Sequence, residues 1–288
     1  MATAVFAMAV TARADRDVDE TLSVPAEVFV EISNLRGDVD IVGWDRDEVR
    51  VRGELDRLAE ELVFERVGKR VVIEVKMPSR DVNWGDGSDL EISVPHTARV
   101  DFQGVSTDVD VREVKGGLRL RTVSGDLEAR EVEGDLIVNS VSGDLELSGT
   151  RGDVRIKTVS GEIELEAESE NIVLDTVSGE IDVELREFAS LRATAISGDM
   201  ELDGQLAADG LIDINTVNGD LNVDLKDPVD AIISVVTGPG GDIENRVTSE
   251  QPTERFPASM ELETVSGSGA GRIKLRTVNG DIRIQSDS

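Results

Sequence analysis

A five-residue phrase recurs along this chain, and its spacing restricts the fold more than any other feature. Thr122-Val123-Ser124-Gly125-Asp126 returns as Ser140-Val141-Ser142-Gly143-Asp144, Thr158-Val159-Ser160-Gly161-Glu162 and Thr176-Val177-Ser178-Gly179-Glu180, with the glycines 18 residues apart each time. Looser copies follow at Ala195-Ile196-Ser197-Gly198-Asp199 and Thr216-Val217-Asn218-Gly219-Asp220, at gaps of 19 and 21, and a last copy at Thr277-Val278-Asn279-Gly280-Asp281. A short fixed period means structural units that bury their apolar faces only by stacking on one another.

Within each 18-residue unit a weaker half-period of nine runs through Gly125-Asp126, Gly134-Asp135, Gly143-Asp144, Gly152-Asp153 and Gly161-Glu162. Short alternating segments follow: Leu127-Glu128-Ala129, Leu136-Ile137-Val138, Leu145-Glu146-Leu147, Val154-Arg155-Ile156 and Ile163-Glu164-Leu165. Apolar residues at i and i+2 share one face of a strand. Glycine supplies a corner conformation that a Cβ resists. Each nine-residue half therefore reads as one strand plus one corner, and two halves make a coil. The expected fold is all-β, a parallel β-solenoid or β-helix of about 18 residues per coil. Equivalent strands then pair in parallel about 4.8 Å apart. A three-sided coil is an open variant, and an antiparallel meander with 18-residue hairpins is the competing fold. The hydroxyl and amide residues around each glycine are placed to hydrogen-bond the corner backbone and one another. No base accompanies the serines, so they do not read as nucleophiles.

The flanks differ. Residues 15–103 read as an N-terminal β-rich capping region, with strands at 28–32, 39–42, 49–51, 63–64, 71–75, 90–94 and 99–102. The segment Glu54–Leu62 has helical spacing, and 81–89 forms a polar loop. Both tryptophans, Trp44 and Trp84, fall here and read as cap core. Residues 104–288 carry the repeats, interrupted by an irregular insertion at 226–270 that holds turns at 226–228 and 237–241, a polar loop at 248–257 and a flexible glycine-rich stretch at 266–271. That stretch lacks a following Lys-Ser/Thr and precedes a strand, so it is not a phosphate loop. The final repeat is mostly basic and offsets the acidic body or meets an acidic partner.

Composition narrows function. The net charge of −30 disfavours nucleic acid, which needs clustered Lys and Arg. Between residues 122 and 225 there are 25 acids and 6 bases. Six Phe, two Trp and no Tyr leave little for a ring-stacking platform. The absence of Cys removes disulfides and thiolate chemistry, and a single His, His96, leaves no zinc cluster and no Ser-His-Asp triad. His96 reads as a satisfied surface residue. An apolar run from Ala2 to Val10 ending in Ala12-Arg13-Ala14 resembles the end of a secretory signal peptide over residues 1–14, without the charged leading region. This predicts export, to a periplasmic or extracellular cell-surface location. No later apolar run is long enough to be a transmembrane segment.

The Thr-Val-Ser/Asn-Gly-Asp/Glu repeats, the early Ile41-Val42-Gly43-Trp44-Asp45 and the closing stretch from Gly271-Arg272-Ile273-Lys274-Leu275-Arg276 to Ile282 together resemble the bacterial putative-adhesin family of β-strand-repeat proteins, a domain of unknown function. The resemblance spans nearly the whole mature chain. It implies an exported β-helical domain at the bacterial cell envelope, and it brings no catalytic residues with it.

Three functional readings follow. The first is a non-catalytic structural or interaction module, adhesin-like, whose partner is an envelope or cell-surface protein or a glycan. It needs no cofactor, and its working surface is the repeat flank or the irregular 238–258 loop. The second is a calcium-stabilised surface adhesin. Stacked acids at Asp126, Glu128, Asp144, Glu146, Glu162 and Glu164 offer hard oxygen ligands suited to Ca2+. The tandem nonapeptide of calcium-binding solenoids is absent. The third is a carbohydrate-active β-helix enzyme using a carboxylate pair such as Glu164 and Asp182. Short corners and scarce aromatics leave it little cleft to work in.

Overall fold

The computed structural model describes residues 17–78, 87–256 and 259–287. The signal-peptide segment, Trp84 and most of the 81–89 loop lie outside these residues. All regular structure among the described residues is β, in two compact units, Met1–Val141 and Ser142–Ser288.

The first unit contains β1 (Asp17–Ser23), β2 (Phe29–Trp44), β3 (Glu48–Glu54), β4 (Glu61–Val67), β5 (Arg70–Lys76), β6 (Asp89–Pro95), β7 (Arg99–Arg112), β8 (Leu118–Arg121), β9 (Leu127–Arg130) and β10 (Leu136–Asn139). The strands from β7 onward pair in parallel. Leu118 of β8 lies against Val100 of β7, and Leu136 of β10 against Leu118. On the next face Val109 of β7 pairs with Leu127 of β9. The offset is 18 residues in each case. The long β2 bends in the middle and pairs in parallel with β7 from end to end, Phe29 on Arg99 through Val42 on Arg112. Residues 29–44 therefore already form a rung of the ladder. Beyond β2 come β5 and β6, both parallel to it. Antiparallel strands then cover the exposed edges: β4 on β5, and β3 followed by β1 on β6. Covering an edge in this way removes a template for unwanted strand addition.

The second unit contains β11 (Leu145–Arg151), β12 (Val154–Lys157), β13 (Ile163–Glu168), β14 (Asn171–Asp175), β15 (Ile181–Thr194), β16 (Met200–Asn215), β17 (Leu221–Lys226), β18 (Ala231–Thr237), β19 (Ile243–Arg246), β20 (Thr253–Arg255), β21 (Ser259–Ser266), β22 (Gly271–Arg276) and β23 (Ile282–Asp287). One parallel ladder runs β11-β13-β15-β16-β17-β23-β19. The other runs β12-β14-β15-β16-β22-β18, and β21 and β20 close it in antiparallel fashion. Residues 271–287 thus lie between the 211–226 and 231–246 rungs and separate two segments that are adjacent in sequence. The insertion expected to be irregular is largely this outer rung and its antiparallel cover.

Alternation produces the core. Leu145, Ile163, Ile181, Met200, Leu221 and Ile282 stack rung on rung, and so do Ile156, Leu174, Ala193, Ile214 and Leu275; all are buried. Each larger aliphatic side chain contributes about 1.5–3 kcal/mol when fully buried.

The corners follow from the repeated phrase. The Thr hydroxyl points inward and donates to the carbonyl two residues on: Thr122 to Ser124 at 2.9 Å, Thr158 to Ser160 at 3.1 Å and Thr176 to Ser178 at 3.2 Å. The Ser or Asn ahead of each glycine forms a single-residue parallel bridge to its counterpart, Ser160 to Ser178, Ser178 to Ser197, Ser197 to Asn218 and Asn218 to Asn279. Gly179 has φ +133° and Gly198 has φ +137°, and a Cβ on either would overlap the carbonyl oxygen of the glycine in the preceding rung. Only glycine satisfies both conditions.

Two local expectations are corrected. The segment Glu54–Leu62 is not helical; a turn at 55–60 leads into β4. The buried Asp56 takes over its backbone: the carboxylate accepts from Leu58 N at 2.8 Å, Gly87 N at 3.1 Å and the Arg36 guanidinium at 2.6 Å. Such local capping competes with helix. Trp44 is half-exposed rather than cap core. Its indole N–H donates to Glu48 O at 2.8 Å and Arg46 lies 4.9 Å from the ring centroid, so it braces the β2–β3 turn.

Gly179→Ala is expected to lower stability by about 3 kcal/mol, measured by urea unfolding, because the strained φ and the overlap with Gly161 act together. At Asp56, burial raises the carboxyl pKa, but the Arg36 bond and the backbone N–H donors outweigh it and the net displacement is downward from 3.8. Its stabilising contribution is therefore present above 3.8 and lost as pH falls through the lower folded value. Asp56→Asn should cost about 2–4 kcal/mol at pH 7 by leaving Arg36 poorly compensated. The gap from wild type should shrink below pH 4 in denaturant titrations.

Candidate functional site

The corner acids do structural work first. In each of five rungs an Asp carboxylate accepts the backbone N–H of the acid residue on a neighbouring rung. Asp108 takes Asp126 N at 2.9 Å, Asp144 takes Glu162 N at 2.9 Å and Asp199 takes Asp220 N at 2.8 Å. Asp220 takes Asp281 N at 2.7 Å, and Asp281 takes Asp242 N at 2.8 Å. These bonds resemble a helix N-cap repeated up a stack: a short side chain satisfies a backbone donor that the corner would otherwise leave open. Of the candidates for cation binding on sequence grounds, Asp144 is one of these acceptors, and Asp126 and Glu162 join the column through their backbone N–H groups.

The strand acids stand differently. Glu128 pairs in register with Asp110 and forms an ion pair with Arg130. Glu146, Glu164, Asp182 and Glu201 occupy successive rungs of one ladder, pointing outward, and take part in no ion pair among the described residues. Neighbouring unit charges about 5 Å apart repel by roughly 1 kcal/mol in water before screening. Glu164 and Asp182, the pair considered for glycoside chemistry, are therefore two members of a continuous like-charged file. The same crowding shows at Asp38 and Asp40, whose carboxyl pKa values are raised, by burial first and then by neighbouring acids including Asp108 and Asp110 respectively. No group of three or more His, Asp or Glu side chains converges as a metal site among the described residues.

Outward charge is segregated in this unit. The ladder from β11 to the first half of β16 presents Glu146, Glu164, Glu166, Asp182, Glu184, Glu201 and Asp203. The adjoining ladder presents Arg155, Lys157, Arg192, Lys274 and Arg276 together with Asp175 and Asp213. Lys157 pairs with Asp175 at 3.0 Å.

The 238–258 segment is ordered by particular contacts. Thr237 donates to Gly280 O at 2.9 Å, and Asp242 N reaches Asp281, so residues 237–242 are a further corner with one residue added. The extra residue and Pro239 hid it from the sequence pattern. Asn245 organises the following loop, donating to Thr248 Oγ1 and Glu250 O at 2.9 Å each. An open groove of about 620 Å3 beside it is lined by residues including Asp220, Asp242, Glu244, Gln251 and Arg283. Glu244 pairs with Arg246 at 2.6 Å and Arg283 at 2.8 Å. Phe256, at the turn after β20, is 98% exposed. The glycine-rich stretch expected to be flexible is pinned by Asp230, whose carboxylate accepts from Ser268 Oγ at 2.8 Å and Gly269 N at 2.6 Å; these donors, Ser268 foremost, lower its pKa.

His96 sits at the end of β6, its Nδ1 2.8 Å from Glu113 O and its Nε2 3.5 Å from Asp45 and 3.9 Å from Glu113 carboxylate oxygens. No helix long and apolar enough to cross a membrane occurs among the described residues.

The Toastrack DUF4097 family model matches residues 30–285. Among solved structures, the chain is similar to a putative adhesin from Bacteroides fragilis NCTC 9343, at 13% identity over 94% of this chain and 97% of that one, with a TM-score of 0.44. It is also similar to a putative cell adhesion protein from Clostridium sporogenes ATCC 15579, at 10% identity over 94% of this chain and 100% of that one, with a TM-score of 0.26. No curated protein matches the chain.

With the corner carboxylates of Asp108, Asp144, Asp199, Asp220 and Asp281 engaged by backbone and the strand carboxylates strung out singly, millimolar Ca2+ is expected to move the melting temperature no further than NaCl at equal ionic strength. A markedly larger rise would assign a cation to the Glu146–Glu201 file.

Proposed function

From the premise that the chain belongs to the Toastrack DUF4097 family, we propose that it is an exported, non-catalytic β-solenoid. It acts as an adhesin-like structural or interaction module at the bacterial cell envelope. The solenoid coil has two main faces and about 18 residues. The reading rests on one observation above the others: parallel ladders place like residues in columns, so a single repeated phrase becomes an extended surface. An extended repetitive surface suits contact with a macromolecule at many points. The carboxylates that would have to act as acid and base are held at corners by backbone donors or lie in a file of equals.

Export is supported by the Ala12-Arg13-Ala14 pattern after an apolar run. Expression of the chain from Met1 in a bacterial host, followed by fractionation and N-terminal sequencing, should recover envelope or secreted protein beginning at Asp15. Full-length protein confined to the cytoplasm would reject export.

A further inference from the structure

The valine of the repeated phrase is the one large apolar residue in it that the fold leaves outside. In the second unit Val159, Val177, Ile196, Val217 and Val278 are 41–52% exposed. They stand on consecutive rungs, because the residues that follow them are bridged in register and Ser178 N, Ser197 N, Asn218 N and Asn279 N each donate to the carbonyl of the ridge residue one rung before. At about 4.8 Å per rung the five form a ridge about 19 Å long. It stops at Gly238, which occupies the next place without a side chain. A scattered exposed valine is ordinary, whereas a contiguous apolar file on a chain of charge −30 is not. Corner geometry explains the Thr, the Ser or Asn, the Gly and the acid; it sets no requirement for a β-branched apolar residue in the exposed slot.

The ridge has a charged margin. Three residues after each apolar member comes an exposed acid: Glu162, Glu180, Asp199, Asp220 and Asp281. The opposite margin is mixed: Lys157, Asp175, Thr194, Asn215 and Arg276. We propose that this ridge is a docking strip for a cationic amphipathic helix of a partner polypeptide, a helix carrying one apolar stripe with Lys or Arg along its border. The assignment rests on the interaction-module reading and specifies its surface and partner chemistry. Turns of a helix repeat every 5.4 Å, close to the rung spacing, so roughly 13 residues of helix lie along five rungs. Apolar residues on one side of an extended strand repeat at about 6.7 Å and fall out of step. A second copy of this chain is disfavoured as occupant because each copy carries −30.

The test uses the full chain and a fluorescein-labelled 14-residue helical peptide with Leu at i, i+3/i+4 and i+7 and Lys beside them. Controls carry Glu for Lys, or Ser for Leu. Anisotropy titrations at 50 and 300 mM NaCl should show binding of the Lys/Leu peptide alone, weakening with salt. The triple variant Val177→Ser, Ile196→Ser, Val217→Ser should bind at least tenfold more weakly with unchanged far-UV circular dichroism. Glu162→Gln with Glu180→Gln, side chains outside the corner hydrogen bonds described above, should weaken binding severalfold and flatten the salt dependence. Val67→Ser, an exposed valine of the first unit, should change nothing. Undiminished binding by the triple variant, equal binding of the Ser-for-Leu peptide, or a dimer in sedimentation that the triple variant abolishes would overturn the assignment. Those results would leave the export test untouched, and a cytoplasmic location would reject export without moving the titrations.

Discussion

At five corners of the second unit a glycine in a positive-φ conformation (Gly161, Gly179, Gly198, Gly219 and Gly280) lies against the glycine carbonyl of the rung before it, with no room for a Cβ between them. That contact sets where every other residue of a rung falls. Once glycine is over glycine, Thr lies over Thr inside, the bridging Ser or Asn meets its counterpart, and the acid reaches the backbone N–H of its neighbour. The aliphatic columns are then in register without further instruction, because the strand on either side of the corner has period two. A slip by one residue would turn the core outward, so the corner and the alternation enforce each other.

The parts of the chain where that enforcement is local were legible in the sequence. Alternation in Leu145-Glu146-Leu147 and Ile163-Glu164-Leu165 specifies strands, and the recurrence of the same residue types at one position in every unit favours the parallel pairing that these residues adopt. The corner bond of Thr158 is legible too, since recurring hydroxyl residues at a turn are placed to hydrogen-bond its backbone; their inward orientation is not. What escaped was non-local. The 54–62 segment has helical spacing, yet Asp56 draws its donors from Leu58 and from Gly87, thirty-one residues away. Thr107 stands in register with Gly37 where the phrase has glycine, so the Gly104–Asp108 segment breaks the phrase while staying in the ladder. Residues 237–242 do the same with an inserted residue. The acid file was visible as charge, but its use as a backbone acceptor depends on a neighbour 18 to 61 residues distant.

Charge and hydrogen bonding are therefore joined in one residue type. An Asp at the corner closes the backbone of the neighbouring rung with one oxygen and presents negative charge at the surface. The corner aspartates in the file have backbone donors, the strand file from Glu146 to Glu201 stands in solvent, and where burial adds to the crowding the carboxyl pKa values rise, as at Asp38 and Asp40. Alongside that file, the ridge residues give their carbonyls to the next rung and leave their apolar side chains half outside.

The order of rungs carries a consequence for biosynthesis. Residues 271–287 separate the 211–226 and 231–246 segments, which leave the ribosome earlier and in immediate succession. If the two older segments zip together first, they form a pairing that must be undone to admit the younger one. The antiparallel cover of β21 on β18 travels with the outer segment and can hold it aside in the meantime. Nascent chains arrested before and after residue 287 would then differ in protease resistance across residues 211–246, and maturation would proceed by intercalation instead of by addition at an end.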